Sequence, residues 1–146
     1  MSLAASACAD EGKGAAPTSP CTLPAQIPAP RDVPRDLPIP ADLALTSAQV
    51  KEKFIAIEGF SERTIEELFK EVQPDLIAKG FDIINTDYEG FEAEIYMAKG
   101  ASLAGIVSMR EGPCDGYVKV NVLYDPLETP EGRKAVRKTR RLSGEG

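Results

Sequence analysis

Apolar residues recur along the middle of the chain with two different periods, and the switches between them outline a small domain. From Lys51 to Phe60, branched and aromatic residues mix with charges in rough alternation, which reads as a strand ending at Gly59. Ser61 then makes a good N-cap, with Glu62 in the first turn. Ile65, Leu68, Phe69, Val72, Leu76 and Ile77 follow at helical spacing as one apolar stripe, with Glu66, Glu67, Lys70 and Glu71 opposite. Pro74 is expected to kink or split this helix, and Lys79-Gly80 supplies its stop.

Beyond Gly80 the period returns to two. Phe81 to about Asp87 reads as a strand, and Glu89-Gly90 turns the chain. Phe91 to Ala98 alternates, with Phe91, Ala93, Ile95 and Met97 on one face and Glu92, Glu94 and Tyr96 on the other. Lys99-Gly100 leads into Ala101–Arg110, where Leu103, Val107 and Met109 share a parity. Tyr117 to Tyr124 closes the set, with Val118, Val120 and Val122 facing one way. Glycine-centred two-residue connections fit hairpins and therefore an antiparallel meander. The expected class is α+β in the order β-α-β-β-β. One helix packs on one face of a four-stranded antiparallel sheet, where both apolar stripes are buried together.

A chain of 146 residues allows one domain, and the first forty residues do not read as globular. Eight of the 12 prolines lie between Pro17 and Pro40, in a stretch with no aromatic residue. Such a segment is expected to be extended or mobile, because it buries too little apolar surface to offset its ordering entropy. The expected organisation is therefore a leader remnant and Pro-rich tether over 1–40, an α+β domain over 41–125, and a basic tail over 126–146. Thr129-Pro130-Glu131 offers a short helix start in that tail.

Charge sharpens this division. Residues 1–126 carry 11 basic and 20 acidic side chains, whereas residues 127–146 carry 6 and 3. An acidic body argues against nucleic acid as a partner, since phosphate binding needs a cationic face. Arg133, Lys134, Arg137, Lys138, Arg140 and Arg141 crowd the tail and are candidates for contact with an anionic surface, such as lipid head groups or wall polymers. A solvated tail is the plainer reading of the same residues. The chain has no histidine, which removes the usual general base at neutral pH, His-activated nucleophiles and imidazole metal ligands. No catalytic residue, cofactor or metal site is expected.

Several constellations look like chemistry and have simpler explanations. Asn85-Thr86-Asp87-Tyr88-Glu89-Gly90 opens like a calcium loop, but its twelfth position is Tyr96 where a bidentate Glu is required. Glu92 and Glu94 could pair as catalytic carboxylates. Solvent-facing alternation accounts for them, with Lys119 as a cross-strand partner. Gly100, Gly105, Gly112 and Gly116 have neither the spacing nor the context of a phosphate loop. Phe54, Phe60, Phe69, Phe81, Phe91, Tyr96 and Tyr117 either line a ligand groove between helix and sheet or form the core of a small domain.

Cys8 follows Leu3-Ala4-Ala5-Ser6-Ala7 and precedes the proline-rich stretch, with Leu37-Pro38-Ile39-Pro40 leading into the first strand and Cys114 late in the chain. This layout resembles that of small bacterial cell-surface lipoproteins, although Ala5 stands where a larger aliphatic is usual and no apolar segment precedes Cys8. Met1-Ser2-Leu3 reads as a vector leader replacing most of a signal peptide, with Glu145-Gly146 a matching scar. The competing reading is a cytosolic chain that happens to start with small residues. The resemblance implies a lipid anchor at Cys8, export, and an outward-facing position at the cell membrane. It also resolves the odd count of three cysteines. With Cys8 acylated, Cys21 and Cys114 are left to form a disulfide in an oxidising compartment, worth roughly 4 kcal/mol in the chain-entropy picture; the plainer alternative is three unrelated free thiols. The expected function is a non-catalytic envelope module binding a protein, wall polymer or lipid. The alternative is a carrier holding a small apolar ligand between helix and sheet.

Overall fold

The structure, a computed structural model, describes residues 21–35, 37–51, 54–100 and 103–126. Six strands and one helix follow in the order β1 (Ala44–Lys51), β2 (Phe54–Ser61), α1 (Ile65–Ala78), β3 (Asp82–Tyr88), β4 (Glu92–Lys99), β5 (Leu103–Glu111) and β6 (Val118–Pro126). All strands join one antiparallel sheet in the spatial order β1-β2-β6-β5-β4-β3. This corrects the four-stranded β-α-β-β-β expectation: the described residues are mostly β, with a single helix. The strand-like runs after the helix number four, one more than that order allows. A sixth strand, β1, was not read at all. Its sequence Ala-Leu-Thr-Ser-Ala-Gln-Val-Lys is small and polar, and Lys51 closes it instead of opening the next strand.

The meander expectation holds only for β3-β4-β5-β6. β2 sits beside β6, so the chain must cross the sheet to begin β3 at the far edge, and α1 makes that crossing. The helix starts at Ile65, not after Ser61. Thr64 is its N-cap, accepting from the Glu67 backbone N–H, while the Glu67 carboxylate accepts from the Thr64 N–H. That backbone bond, then the Thr64 hydroxyl, hold the Glu67 carboxyl below its ordinary range. Ser61 instead ends β2 and donates to Asp42 at 3.1 Å. Pro74 neither ends nor splits the helix. Its exposed ring faces solvent, while Leu68, Val72 and Leu76 seat both halves on the sheet.

Register assigns the two faces. Ile55 and Ile57 of β2, Val120, Val122 and Tyr124 of β6, Val107 and Met109 of β5, and Ala93, Ile95 and Met97 of β4 share the helix side. All are at most 5% exposed. The helix touches β3, β4 and β5. The proline-rich segment extends the same core under the other half of the sheet. Leu37 is 2% exposed and joins the core cluster, with Ile27, Val33 and Ile39 packed against it. Pro38 and Pro40 are buried as well.

This strap has no helix or strand, yet several contacts hold it. The Ile27 N–H donates to the Leu45 carbonyl on β1 at 2.7 Å, and Lys79 Nζ donates to the Leu37 carbonyl at 3.1 Å. Cys21 and Cys114 form a disulfide with Cα atoms 5.6 Å apart. At the return end, Asp42 pairs with Arg63 Nε at 3.0 Å, and the Arg63 Nη1 pairs with Glu71 on the helix. Leu43 lies so close to β2 that a Cβ at Gly59 would stand 2.7 Å from Leu43 Cγ. Only glycine fits there.

Two stability measurements check that the strap is part of the core. Leu37→Ala lowers the unfolding free energy by about 3 kcal/mol in urea titration, whereas the exposed Pro24→Ala changes it by less than about 0.5. Cys21→Ser/Cys114→Ser loses about 2–4 kcal/mol, and reductant acting on the natural protein reproduces the loss.

Candidate binding surface

Strand direction gives the sheet two poles. One carries Ser61, Tyr88, Glu92, Glu111 and Val118, with Cys21 and Cys114 beside them. The other carries Lys51, Phe54, Asp82, Lys99 and Pro126. At the cysteine pole the helix N-terminus and the β3–β4 and β5–β6 connections surround a cleft of about 400 Å³, lined by residues including Glu62, Arg63, Gly112, Asp115 and Tyr117. The Tyr117 hydroxyl donates to Glu62 at 3.1 Å, which raises its pKa from the ordinary value. A wider recess of about 600 Å³ runs along the strap between Ala29, Arg35 and Lys79. Neither lies between helix and sheet.

The seven aromatic residues expected to line one groove are dispersed. Phe81 packs edge-on to Tyr124 at 5.6 Å, and Phe69 stacks on Tyr88 at 5.3 Å, both on the helix side. Phe54, Phe60 and Tyr96 take the register of the opposite face, while Phe91 and Tyr117 sit at the cysteine pole. They cannot line a single groove. Leu68, Leu76, Ile95, Met97, Val107 and Met109 instead close the helix–sheet interface, each 0% exposed.

The face away from the helix mixes an apolar row, Ala56, Leu123, Ile106 and Tyr96, with paired charges nearer the cysteine pole. Glu92 accepts from Arg110 at 2.8 Å and Glu94 lies 3.7 Å from the same guanidinium. Lys119 pairs with Glu58 at 2.8 Å, not with the β4 carboxylates, because β5 stands between β6 and β4. Glu94 also accepts from the Tyr96 hydroxyl at 2.7 Å. Desolvation, then that bond and the surrounding carboxylates, push the Tyr96 pKa up to about 12. Asn85–Tyr88 is strand and not loop, so the calcium-loop pattern has no loop to act in. Among the described residues no group of acidic or cysteine side chains is arranged to hold a metal.

The sheet ends differ. β1 has its outer side met by the strap at Leu45. β3 has β4 on one side and, among the described residues, no strand on the other. Of the large apolar side chains left exposed, Tyr88 (45%) is on this strand, Phe91 (57%) is in the turn after it, and Ile77 (63%) is on the helix that touches it. Ile77 was expected in the buried helical stripe, but it lies one residue past Leu76 and turns outward. Asp82, Asn85 and Asp87 line the other side of the same strand. Asp87 and Glu89 of this edge join Glu92 and Glu94 around a recess of about 90 Å³.

Of the residues singled out in the sequence, the structure brings Cys21 and Cys114 together. Cys8 and the basic positions Arg133, Lys134, Arg137, Lys138, Arg140 and Arg141 lie outside the described residues. No described helix is long and apolar enough to cross a membrane. No protein-family model matches the chain, and no curated protein matches it in sequence.

Tyr96 offers a check on the polar face. Its raised pKa means that the native state holds a proton the unfolded chain has released, so stability is full below about pH 10 and falls as pH rises toward 12. Ultraviolet titration is expected to show one tyrosine ionising near pH 12. Tyr96→Phe removes that transition and flattens the alkaline loss of stability.

Proposed function

We propose that the protein is a non-catalytic binding module of the bacterial envelope, anchored by lipid at Cys8 and engaging its partner through the β3 side of the sheet. The observation that carries the reading is the contrast between a closed helix–sheet core and an open strand edge with apolar side chains beside it. A protein built to carry a ligand inside keeps its aromatics around a cavity; here they are split between faces. A protein built to bind outside keeps its core closed and leaves an edge available for pairing.

Catalysis finds no support in the same surfaces. The chain has no histidine, and the Glu92–Glu94 pair is tied to Arg110 and Tyr96. Support for the anchor comes from the small residues before Cys8 and from the disulfide, which uses the other two cysteines and leaves Cys8 as the odd one.

Mass spectrometry of the protein isolated from its natural host tests the anchor. The expected mature N-terminus is Cys8 carrying a diacylglycerol thioether, with the protein in the membrane fraction and released by Cys8→Ser. An unacylated Cys8 in a soluble protein would overturn the anchored reading.

A further inference from the structure

We propose that the outer edge of β3 binds an extended segment of a partner protein as an added strand, and that this segment alternates basic and apolar residues. The inference rests on the binding-module reading and names the class of partner. Along β3 the pleat sends alternate side chains to opposite faces, with one register shift between Ile83 and Asn85. Asp82, Asn85 and Asp87 point to the polar face; Ile83, Thr86 and Tyr88 point to the helix face. A strand laid beside β3 would have its own alternate side chains beside these two rows.

On the helix face that strand meets the ring of Tyr88, itself stacked on Phe69, and passes Ile77, which follows Phe69 at helical spacing on α1. Apolar side chains fit there. On the polar face it meets Asp82 and Asp87. Glu58, Glu92 and Glu94 on that face each have a cation within 4 Å. No ion pair among the described residues involves Asp82, Asp87 or Glu89. The recess between Asp87, Glu89, Glu92 and Glu94 has room, at about 90 Å³, for the head of a lysine or arginine. The carboxylates also select against other strands. A second copy of this chain would bring the same acids opposite an acidic edge, and the chain's net charge of −6 adds to that repulsion. The edge therefore disfavours acidic strands and favours a basic one.

The test is fluorescence anisotropy with a labelled nine-residue peptide of alternating lysine and valine, added to the full chain carrying Cys8→Ser. Saturable binding is expected, with amide shifts in NMR concentrated in residues 82–88. Asp82→Asn/Asp87→Asn, both at exposed positions, weakens binding by about tenfold without lowering the thermal midpoint. N-methylation of alternate peptide bonds, which removes the strand's hydrogen-bonding side, abolishes it. Equal binding by an all-lysine peptide would overturn the proposal, as would shifts centred elsewhere or an absence of binding. Binding that appears only after deletion of residues 127–146 would overturn it too, because the chain's own basic tail would then be the occupant. The peptide meets unanchored protein in solution, so these results are independent of whether Cys8 carries lipid.

Discussion

A single helix about 10 Å wide cannot cover a sheet of six strands, which measures about 24 Å from β1 to β3. Everything else in the fold answers that mismatch. The helix must travel from β2 to the far edge to begin β3, and it covers β3, β4 and β5 on the way. Ile55, Ile57, Val122 and Tyr124 lie on the uncovered half, and they would face water if nothing else came over them. The proline-rich strap supplies the missing layer. Leu37, Pro38 and Pro40 are as buried there as any strand residue.

A layer without secondary structure lacks the ladder that normally holds backbone in place, so it needs attachments of other kinds. The Cys21–Cys114 disulfide fixes one end at the cysteine pole, and the Asp42–Arg63–Glu71 ion pairs fix the other. Between them, single hydrogen bonds reach β1 through Ile27 and the helix C-cap through Lys79. The prolines contribute by lowering the entropy of the unfolded segment, so that less is lost when the strap orders. The disulfide is thus a fastener for a core component and not merely a crosslink between a tether and a turn.

This explains which parts of the fold were legible in the sequence. β4 and β6 announce themselves, because Ala93-Ile95-Met97 and Val118-Val120-Val122 alternate with charged or polar neighbours. The strap does not, since proline content reports the absence of regular structure and says nothing about burial. Leu37 and Ile39 look the same in a tether as in a core. β1 was hidden for a related reason: Thr46, Ser47 and Gln49 form an edge strand whose stability comes from pairing with β2. The helix start was legible and passed over. Thr64 followed by Glu67 is a capping box, a stronger signal than the lone hydroxyl of Ser61. The β3 edge left no mark in sequence, because an edge is a property of strand order.

Strand order also places the proposed binding edge relative to the two ends of the described chain. The strap reaches the cysteine pole at Cys21, and β6 leaves the sheet at the opposite pole through Pro126. The chain between Cys8 and Cys21 can span at most about 45 Å. A lipid at Cys8 would therefore keep the cysteine pole within that reach of the membrane, while Pro126, the last described residue, lies at the opposite pole. β3 runs from one pole to the other along the flank. Among the described residues no strand lies along its outer side. The disulfide that completes the core also fixes where the fold begins after Cys8, so one bond sets both the stability of the strap and the reach from Cys8 to the sheet.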